Sequence, residues 1–216
     1  MPRPTLLLAL AALSACAGAQ PRPSRGDDLP ERLADRAASL LGERGAFHAD
    51  GRRFNPDCSG YVEAVYHAEG IPLRSLMERA APRERSAVVA AHLALERYGR
   101  TFGAGVRPLP GDLVFFHHTY DRDRNGRLDE RLSHVGIVEQ VSGETVVFLH
   151  RGGSGVTRAV MTLSRRDELR AGDGRELNSP LRRKRSDWSS APVLSGQLFA
   201  SYGRIERDRL PSDLGR

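Results

Sequence analysis

The hydrophobic positions of the chain predict helices in its first half and strands in its second. Apolar residues recur at helical spacing over positions 29–45, 58–70 and 86–99. After "VRPLPG" the chain changes to short β-branched runs separated by Gly or polar turns, "DLVFF", "SHVGIVEQV", "TVVFLH" and "GVTRAVM", and "GQLFASYGRI" predicts a closing strand. Such runs are typical of an antiparallel sheet with one buried face. Helices followed by strands indicate an α+β domain.

Three residues in this pattern are candidates for chemistry. Cys58 begins the second predicted helix and lies at the head of its apolar stripe, while period-two alternation places His134 and His150 on the same face of the sheet. A helix start stabilises a thiolate, but the dipole lowers the pKa by only about 1.5 units, so a full thiolate also needs a nearby imidazolium. The pattern therefore predicts a cysteine nucleophile, a histidine base and a third polar group that orients the base.

The first residues predict export. One arginine in "MPRP" precedes the apolar stretch "TLLLALAALSA", which is shorter than the roughly 20 residues that span a bilayer. The following "LSAC" resembles the lipobox of bacterial lipoproteins. We therefore predict a signal peptide over residues 1–15, a lipidated Cys16 with a flexible linker to residue 29, and one domain over residues 30–210. Ordinary signal cleavage near Ala-x-Ala is the alternative.

Lipidation would leave Cys58 as the only thiol in the mature chain. An unpaired cysteine in an exported protein indicates either intermolecular pairing or a reactive thiol. Position 17, directly after the predicted lipidated cysteine, is Ala rather than Asp. By resemblance to bacterial lipoproteins, this residue favours the periplasmic face of the outer membrane over retention at the inner one.

The charge of the chain also suits a location at the cell envelope. The net charge of +6 and pI near 10 favour an anionic partner such as a cell-wall polymer or a membrane surface. Nucleic acid does not fit an exported chain. The basic run Leu181–Arg185 lies in a polar stretch over residues 171–192 and is predicted to be a solvated loop, with contact to an anionic ligand as the alternative. Trp188, in the same stretch, is either a core residue or a platform for sugar stacking.

Four sequence blocks together resemble a known family. "DCSGYVEAVY", "PGDLVFF", "SHVGIVEQV" and "VVFLH", the last followed by a glycine-rich turn and "GV", are similar in order and spacing to the NlpC-type cell-wall peptidases, bacterial relatives of papain and of the CHAP amidases. The resemblance covers roughly residues 30–165. It implies a papain-like fold in which N-terminal helices pack on a central antiparallel sheet and the nucleophile begins a helix.

The resemblance also implies roles for individual residues. Cys58 would be the nucleophile, His134 the general base and later acid, and His150 the residue that orients His134. The backbone N–H of Cys58 would help to stabilise the oxyanion. Asp57 and Ser59 would shape the turn around the nucleophile.

The activity that this family implies is hydrolysis of peptidoglycan by a thiol endopeptidase, which cuts stem-peptide amide bonds without a cofactor and acts as a monomer. An amidase or acyltransferase reaction on another amide or ester, and a catalytically silent cell-wall-binding lipoprotein, remain as alternatives. The chain departs from the family in "GAFHADGRRFNPDC", where Phe47 or His48 replaces the usual tyrosine and glycine pair of the substrate cleft. Substrate choice is therefore open.

A second departure is the acidic insertion "TYDRDRNGRLDERL" at residues 119–132. Its residues match positions one, three, five, six and nine of an EF-hand loop. Leu128 is predicted to anchor the loop in the core. Leu132 occupies position twelve, where a glutamate is usual. The predicted ligands are Asp121, Asp123, Asn125, the Arg127 carbonyl, Asp129 and, at position ten, Glu130. We expect a structural Ca²⁺ that orders the loop and positions His134.

Two alternatives concern this region. The insertion could be a polar hairpin whose Asp/Arg alternation forms weak surface ion pairs. His117 and His118 could join Cys58 and His134 around zinc, but no Cys-x-x-Cys or His-Glu-x-x-His spacing supports such a site.

Overall fold

The computed structural model describes residues 28–182 and 191–213 of the 216 residues. The predicted signal peptide, Cys16, nearly all of the linker, Trp188 and residues 183–185 of the basic run lie outside the described residues. Within the described ranges, no helix has both the length and the apolar character needed to cross a bilayer.

Four helices precede the strands of an antiparallel main sheet, which confirms the α+β prediction. The helices are α1 (Leu29–Ser39), α2 (Cys58–Ala68), α3 (Leu73–Ala80), α4 (Ala87–Tyr98) and the short α5 (Ser195–Leu198). A two-stranded hairpin consists of β1 (Phe47–Ala49) and β2 (Arg52–Phe54). The main sheet consists of β3 (Gly99–Phe102), β4 (Leu113–Phe116), β5 (His134–Ser142), β6 (Thr145–Gly152), β7 (Gly155–Thr162) and β8 (Phe199–Ile205).

The main sheet has six strands in the order β3-β8-β4-β5-β6-β7. All of its neighbouring strands are antiparallel, and β5 pairs with β4 on one side and β6 on the other. In this order β5, which begins with His134, lies directly beside β6, which carries His150.

The predicted apolar stripe of α2 is confirmed, because its four residues are buried with at most 1% exposure. These are Tyr61, Val62, Val65 and Tyr66. The helix packs against β5 and β6, whose Val135, Ile137 and Leu149 belong to the same apolar cluster. Cys58 is half-buried at the edge of that cluster.

The prediction that only one face of the sheet is buried is wrong. A second apolar cluster covers the other face and includes Phe116 and Phe148 from the strands and Leu198 from α5. The segment between β7 and α5 lies against this face, where Asn178 is fully buried and its Oδ1 accepts the N–H of Thr162 at 3.0 Å. Local periodicity does not reveal that a distant irregular segment covers a strand edge.

The same segment corrects the prediction of a solvated basic run. Arg182 is only 9% exposed and donates a hydrogen bond to the Pro192 carbonyl. The described part of this run is therefore packed against the protein rather than exposed to solvent.

Several elements differ from the pattern-based assignment. α1 ends at Ser39, and Gly42 adopts a φ of +81°, so the helix stops earlier than residues 29–45 suggested. α3, β3 and the β1–β2 hairpin were not predicted from the sequence. The hairpin turn contains Asp50 and Gly51, both with positive φ, and this Asp-Gly pair is the signal that could have revealed it.

The "PGD" block has a structural role at the junction of β4 and β8. Asp112 is 3% exposed and accepts hydrogen bonds from Arg204 Nε at 2.7 Å and Nη2 at 2.6 Å. It also accepts the backbone N–H of Leu109 at 2.7 Å. This bidentate pair satisfies a buried carboxylate and fixes β8 against β4.

Candidate active site

Cys58 is the first residue of α2, and the turn before it is held by Asp57. Asp57 Oδ1 accepts hydrogen bonds from the Ser59 hydroxyl and from the Gly60 N–H, both at 2.7 Å, which is the arrangement of a helix N-cap. A Cβ at Gly60 would lie 2.1 Å from the carbonyl oxygen of Asn55, so the turn packs directly on this glycine. Asp57 and Ser59 therefore shape the turn that presents the thiol at the helix start.

His134 and His150 are hydrogen-bonded to each other across β5 and β6. His134 Nε2 lies 2.9 Å from His150 Nδ1. The two rings lie on the face of the sheet that carries Phe116 and Phe148, whose rings contact them. The histidines thus share one face, as predicted, and the aromatic side chains fix their orientation, but this face is opposite to the one covered by α2 and does not present the rings to Cys58 as expected.

Gly136, in the "SHVG" block, makes the close approach of β6 possible. A Cβ at this position would lie 2.8 Å from the Leu149 carbonyl oxygen and 3.3 Å from the Cβ of His150. Any larger residue would push His150 away from β5 and disturb its hydrogen bond to His134.

The thiol and the histidine pair approach the beginning of β5 from opposite faces of the sheet. The backbone N–H of Val135, the residue after His134, is hydrogen-bonded to the Cys58 sulfur. However, α2 packs on the face of Val135, whereas the His134 ring lies on the opposite face. No hydrogen bond joins Cys58 to His134 among the described residues, so the predicted direct pair is not formed in this arrangement.

Burial favours the neutral thiol of Cys58 at neutral pH, contrary to the thiolate predicted from the sequence. Burial raises the pKa of Cys58 to about 11, and the nearby charge of Asp57 raises it further. The backbone N–H groups of Val135, Ser59 and Cys58 lower the pKa, but by less than burial raises it. The dipole at the helix start is therefore outweighed by desolvation, which periodicity does not reveal.

The two imidazoles are neutral as well. Burial lowers the pKa of His150 to about 4. Burial and then the neighbouring His150 hold the pKa of His134 well below its ordinary value. The imidazolium that the sequence analysis expected to stabilise a thiolate is absent at neutral pH, and the site consists of a neutral thiol and a neutral histidine pair.

The Asp57→Asn variant tests the electrostatic effect of the N-cap on the thiol. Asparagine keeps the acceptor oxygen of the cap but removes the charge, so the pKa of Cys58 should fall. Each unit of pKa lowering increases the thiolate fraction at neutral pH about tenfold. We expect faster alkylation by iodoacetamide than in the unmodified chain. An unchanged or slower rate, with an unchanged circular dichroism spectrum, would contradict this account.

Tyr120 is a site residue that the sequence analysis did not identify. Its pKa is raised by burial and then by the neighbouring Cys58, and the charges of Asp57 and Glu130 contribute. Tyr120 is 48% exposed, so this aromatic side chain stands at the surface within electrostatic range of the nucleophile. Its position at the start of the acidic insertion was the available signal, but its proximity to Cys58 depends on how the loop folds.

The acidic insertion brings together three of its predicted ligands. One carboxylate oxygen from each of Asp121, Asp123 and Glu130 lies within 4.8 Å of the others. Asp129 is exposed and is not a member of this group. Leu128 was predicted to anchor the loop, but Leu132 is the residue that packs against the core.

The remaining two predicted ligands make local hydrogen bonds. Asn125 Oδ1 accepts the N–H of Arg127 at 2.7 Å, and Asn125 Nδ2 donates to Asp123 Oδ2 at 3.0 Å. Asn125 thus shapes the turn between the acidic residues. No contact assigns the Arg127 carbonyl to the acidic group within the described part of the loop.

The other histidines and the altered cleft residues lie apart from this chemistry. His117 Nδ1 accepts the N–H of Leu132 at 2.9 Å and thereby ties the loop to β4. Phe47 is 1% exposed and contacts the Tyr61 ring, so it is a core residue, whereas His48 is exposed. Among the described residues, only the acidic group brings three potential metal ligands together, so the zinc alternative has no support.

Comparisons with known proteins identified no relative of this chain. No model of a protein family, no curated protein and no solved structure matches the chain.

Proposed function

We propose that this protein is a lipid-anchored peptidoglycan hydrolase, a cysteine endopeptidase with a papain-like fold of the NlpC type. The observation that carries the proposal is the position of Cys58 at the start of α2, hydrogen-bonded to the N–H of Val135, while the preceding His134 is hydrogen-bonded to His150 at 2.9 Å. These contacts support the proposal because a candidate nucleophile, a candidate base and its orienting group all adjoin the beginning of β5.

The orienting bond supports a role for His134 as a base. If Nε2 of His134 carries the proton and donates it to His150 Nδ1, the lone pair of His134 is on Nδ1. The lowered pKa of His134 keeps this lone pair available at neutral and mildly acidic pH. His150 then acts as a positioning residue, because it selects the tautomer of the base.

The neutral resting state implies that proton transfer accompanies attack. When a stem peptide binds, the Cys58 sulfur attacks the amide carbon while its proton passes to His134, which requires a rearrangement that brings the His134 ring to the thiol from the opposite face of the sheet. The backbone N–H of Cys58 would stabilise the oxyanion. His134 then protonates the leaving amine, and a thioester remains on Cys58.

Hydrolysis of the thioester completes the cycle. His134 removes a proton from a water molecule as the water attacks the thioester carbonyl, and it returns that proton to the Cys58 sulfur when the carboxylate leaves. The thiol proton leaves with the amine and a proton from water restores the thiol, so the protons balance and no cofactor is required for the chemistry.

Digestion of purified sacculi and defined muropeptides by the full chain in detergent tests the proposal. Mass spectrometry of the new peptide termini identifies the bond that is cut, and Cys58→Ala is the matched control. Cleavage within the stem peptide that disappears in the variant supports the proposal. Intact muropeptides after prolonged incubation would oppose it.

The raised pKa of Cys58 favours one second candidate, a catalytically silent cell-wall-binding lipoprotein. A thiol with a pKa of about 11 and no hydrogen bond to His134 within the described residues is unreactive at neutral pH. In that case the chain would sediment with sacculi but would neither cut them nor react with a thiol-directed activity probe. Labelling of Cys58 without cleavage of peptidoglycan would instead indicate an amidase or acyltransferase with another substrate.

A further inference from the structure

The strongest unassigned feature of the molecule is the acidic group in the loop between β4 and β5. The carboxylates of Asp121, Asp123 and Glu130 approach one another to within 4.8 Å. None of the three forms an ion pair with an arginine, lysine or histidine within the described ranges. Repulsion among three acidic side chains at this distance favours a cation between them.

A second observation concerns Glu130 alone. This residue is only 6% exposed, and its Oε2 is buried without a hydrogen-bond donor. Its Oε1, in contrast, accepts the N–H groups of Arg122 and Asp123, the latter at 3.4 Å. A buried carboxylate oxygen without a partner is unfavourable, and it indicates that a positively charged ligand belongs at this position.

We propose that the loop over residues 121–130 binds one Ca²⁺ through the carboxylates of Asp121, Asp123 and Glu130. Oxygen ligands without nitrogen or sulfur suit a hard cation and argue against zinc. Several protein carboxylates around one ion favour Ca²⁺ over Mg²⁺, which holds its water molecules more tightly. Glu130, at position ten, takes the place of the glutamate that longer loops provide at position twelve.

The ion would stabilise the backbone on both sides of the candidate active site. The carbonyl of Glu130 accepts the N–H of His118 at 2.8 Å, and the hydroxyl of Ser133 accepts the N–H of Thr119 at 2.9 Å. Ser133 directly precedes His134, and Thr119 directly precedes Tyr120. Binding of the ion therefore fixes the start of β5 and the tyrosine near Cys58. This consequence for activity rests on the proposed function, whereas the binding site does not.

Terbium luminescence and calorimetry test the binding directly on the full chain. Tyr120 precedes a ligand, so its excitation should sensitise Tb³⁺ bound in the loop, and added Ca²⁺ should displace the Tb³⁺. Because the loop lacks a ligand at position twelve, we expect a Kd for Ca²⁺ of about 10⁻⁴–10⁻³ M, as in extracellular modules, and much weaker binding of Mg²⁺. No saturable Ca²⁺ binding in this range would overturn the proposal.

Three variants separate a built site from general attraction by negative charge. Glu130→Gln and the exposed Asp123→Asn should each weaken Ca²⁺ binding by about tenfold or more, since each removes a charged ligand. The matched control is Asp129→Asn, which removes the same charge from the same loop outside the acidic group and should retain binding within about threefold. Equal losses in all three variants would indicate diffuse attraction only and would overturn the assignment. Circular dichroism spectra verify that each variant is folded.

Cleavage of muropeptides with Ca²⁺ or with the chelator EGTA tests the coupling to the active site. Faster cleavage with Ca²⁺, lost in Glu130→Gln but retained in Asp129→Asn, supports the positioning role. Saturable Ca²⁺ binding without any effect on cleavage would overturn that role and leave the binding site established. If no variant or condition gives cleavage, the hydrolase proposal fails while the luminescence result remains interpretable.

Discussion

Replacing either Cys58 or His134 by alanine is expected to lower the rate of peptidoglycan cleavage by roughly 10⁴-fold or more, because a nucleophile and its base act as a unit. For the same reason, the double variant should be no slower than the worse single variant. The rates are measured by liquid chromatography of a defined muropeptide. Losses that multiply in the double variant would show that the two residues act independently.

Two variants of His150 serve as controls for its positioning role. His150→Gln retains a side-chain oxygen that can accept the hydrogen bond from His134 Nε2, whereas His150→Leu does not. The glutamine variant should therefore keep more activity, and the leucine variant should show an altered pH dependence of kcat/KM. Equal activities with unchanged pH profiles would mean that His150 only fills space.

The histidine pair is also expected to make the folded state sensitive to acid. Burial lowers the pKa of His150 from 6.5 to about 4. The unfolded chain then binds more protons than the folded chain between these values, so the free energy of unfolding falls as the pH decreases from 6.5 to about 4. The contribution of His150 alone is about 3 kcal/mol, and His134 shifts in the same direction.

Urea unfolding over a series of pH values measures this contribution. The buried carboxyls of Asp112 and Glu63 have raised pKa values, caused first by burial, and act in the opposite direction. The informative quantity is therefore the difference in free energy of unfolding between the unmodified chain and His150→Gln. Both proteins contain Asp112 and Glu63, so the contributions of these carboxyls cancel in the difference. As the pH falls, the free energy of unfolding of His150→Gln should therefore increase relative to that of the unmodified chain. The exposed His48→Gln serves as the control for the loss of an imidazole at the surface.

A parallel curve for His150→Gln would contradict the buried, neutral state of the histidine pair. It would also remove the physical basis for a base that stays neutral in mild acid. The acid series thus tests the electrostatics of the candidate site without using any substrate, and it remains informative even if the sacculus assay finds no cleavage.

The predictions that depended on neighbouring residues in the chain were largely correct. The apolar stripe of α2, the start of that helix at Cys58 and the four strands β4 to β7 follow from residue spacing and turn chemistry, and the structure confirms them. The predictions that depended on burial were less successful. Desolvation of the Cys58 thiol comes from residues distant in the chain, and it reverses the expected direction of the pKa shift.

The acidic loop shows the same difference between what residue spacing predicts and what the folded structure decides. The sequence supplied six candidate oxygen ligands, five of them at EF-hand spacing, but the fold brings three carboxylates together and leaves Asp129 outside. It also turns Leu132, rather than Leu128, toward the core. Spacing alone defines which residues can reach a common point, whereas the anchoring of both loop ends decides which of them do.

The sequence by itself determined the order of helices and strands, the position of the thiol at a helix start and the shared face of His134 and His150, because these features depend on short-range geometry. Only the tertiary structure decided that both faces of the sheet are covered, that the thiol and imidazoles are neutral, and that Tyr120 and Glu130 stand beside the candidate site. Burial and charge depend on contacts between segments far apart in the chain, and these contacts form only when the whole domain folds.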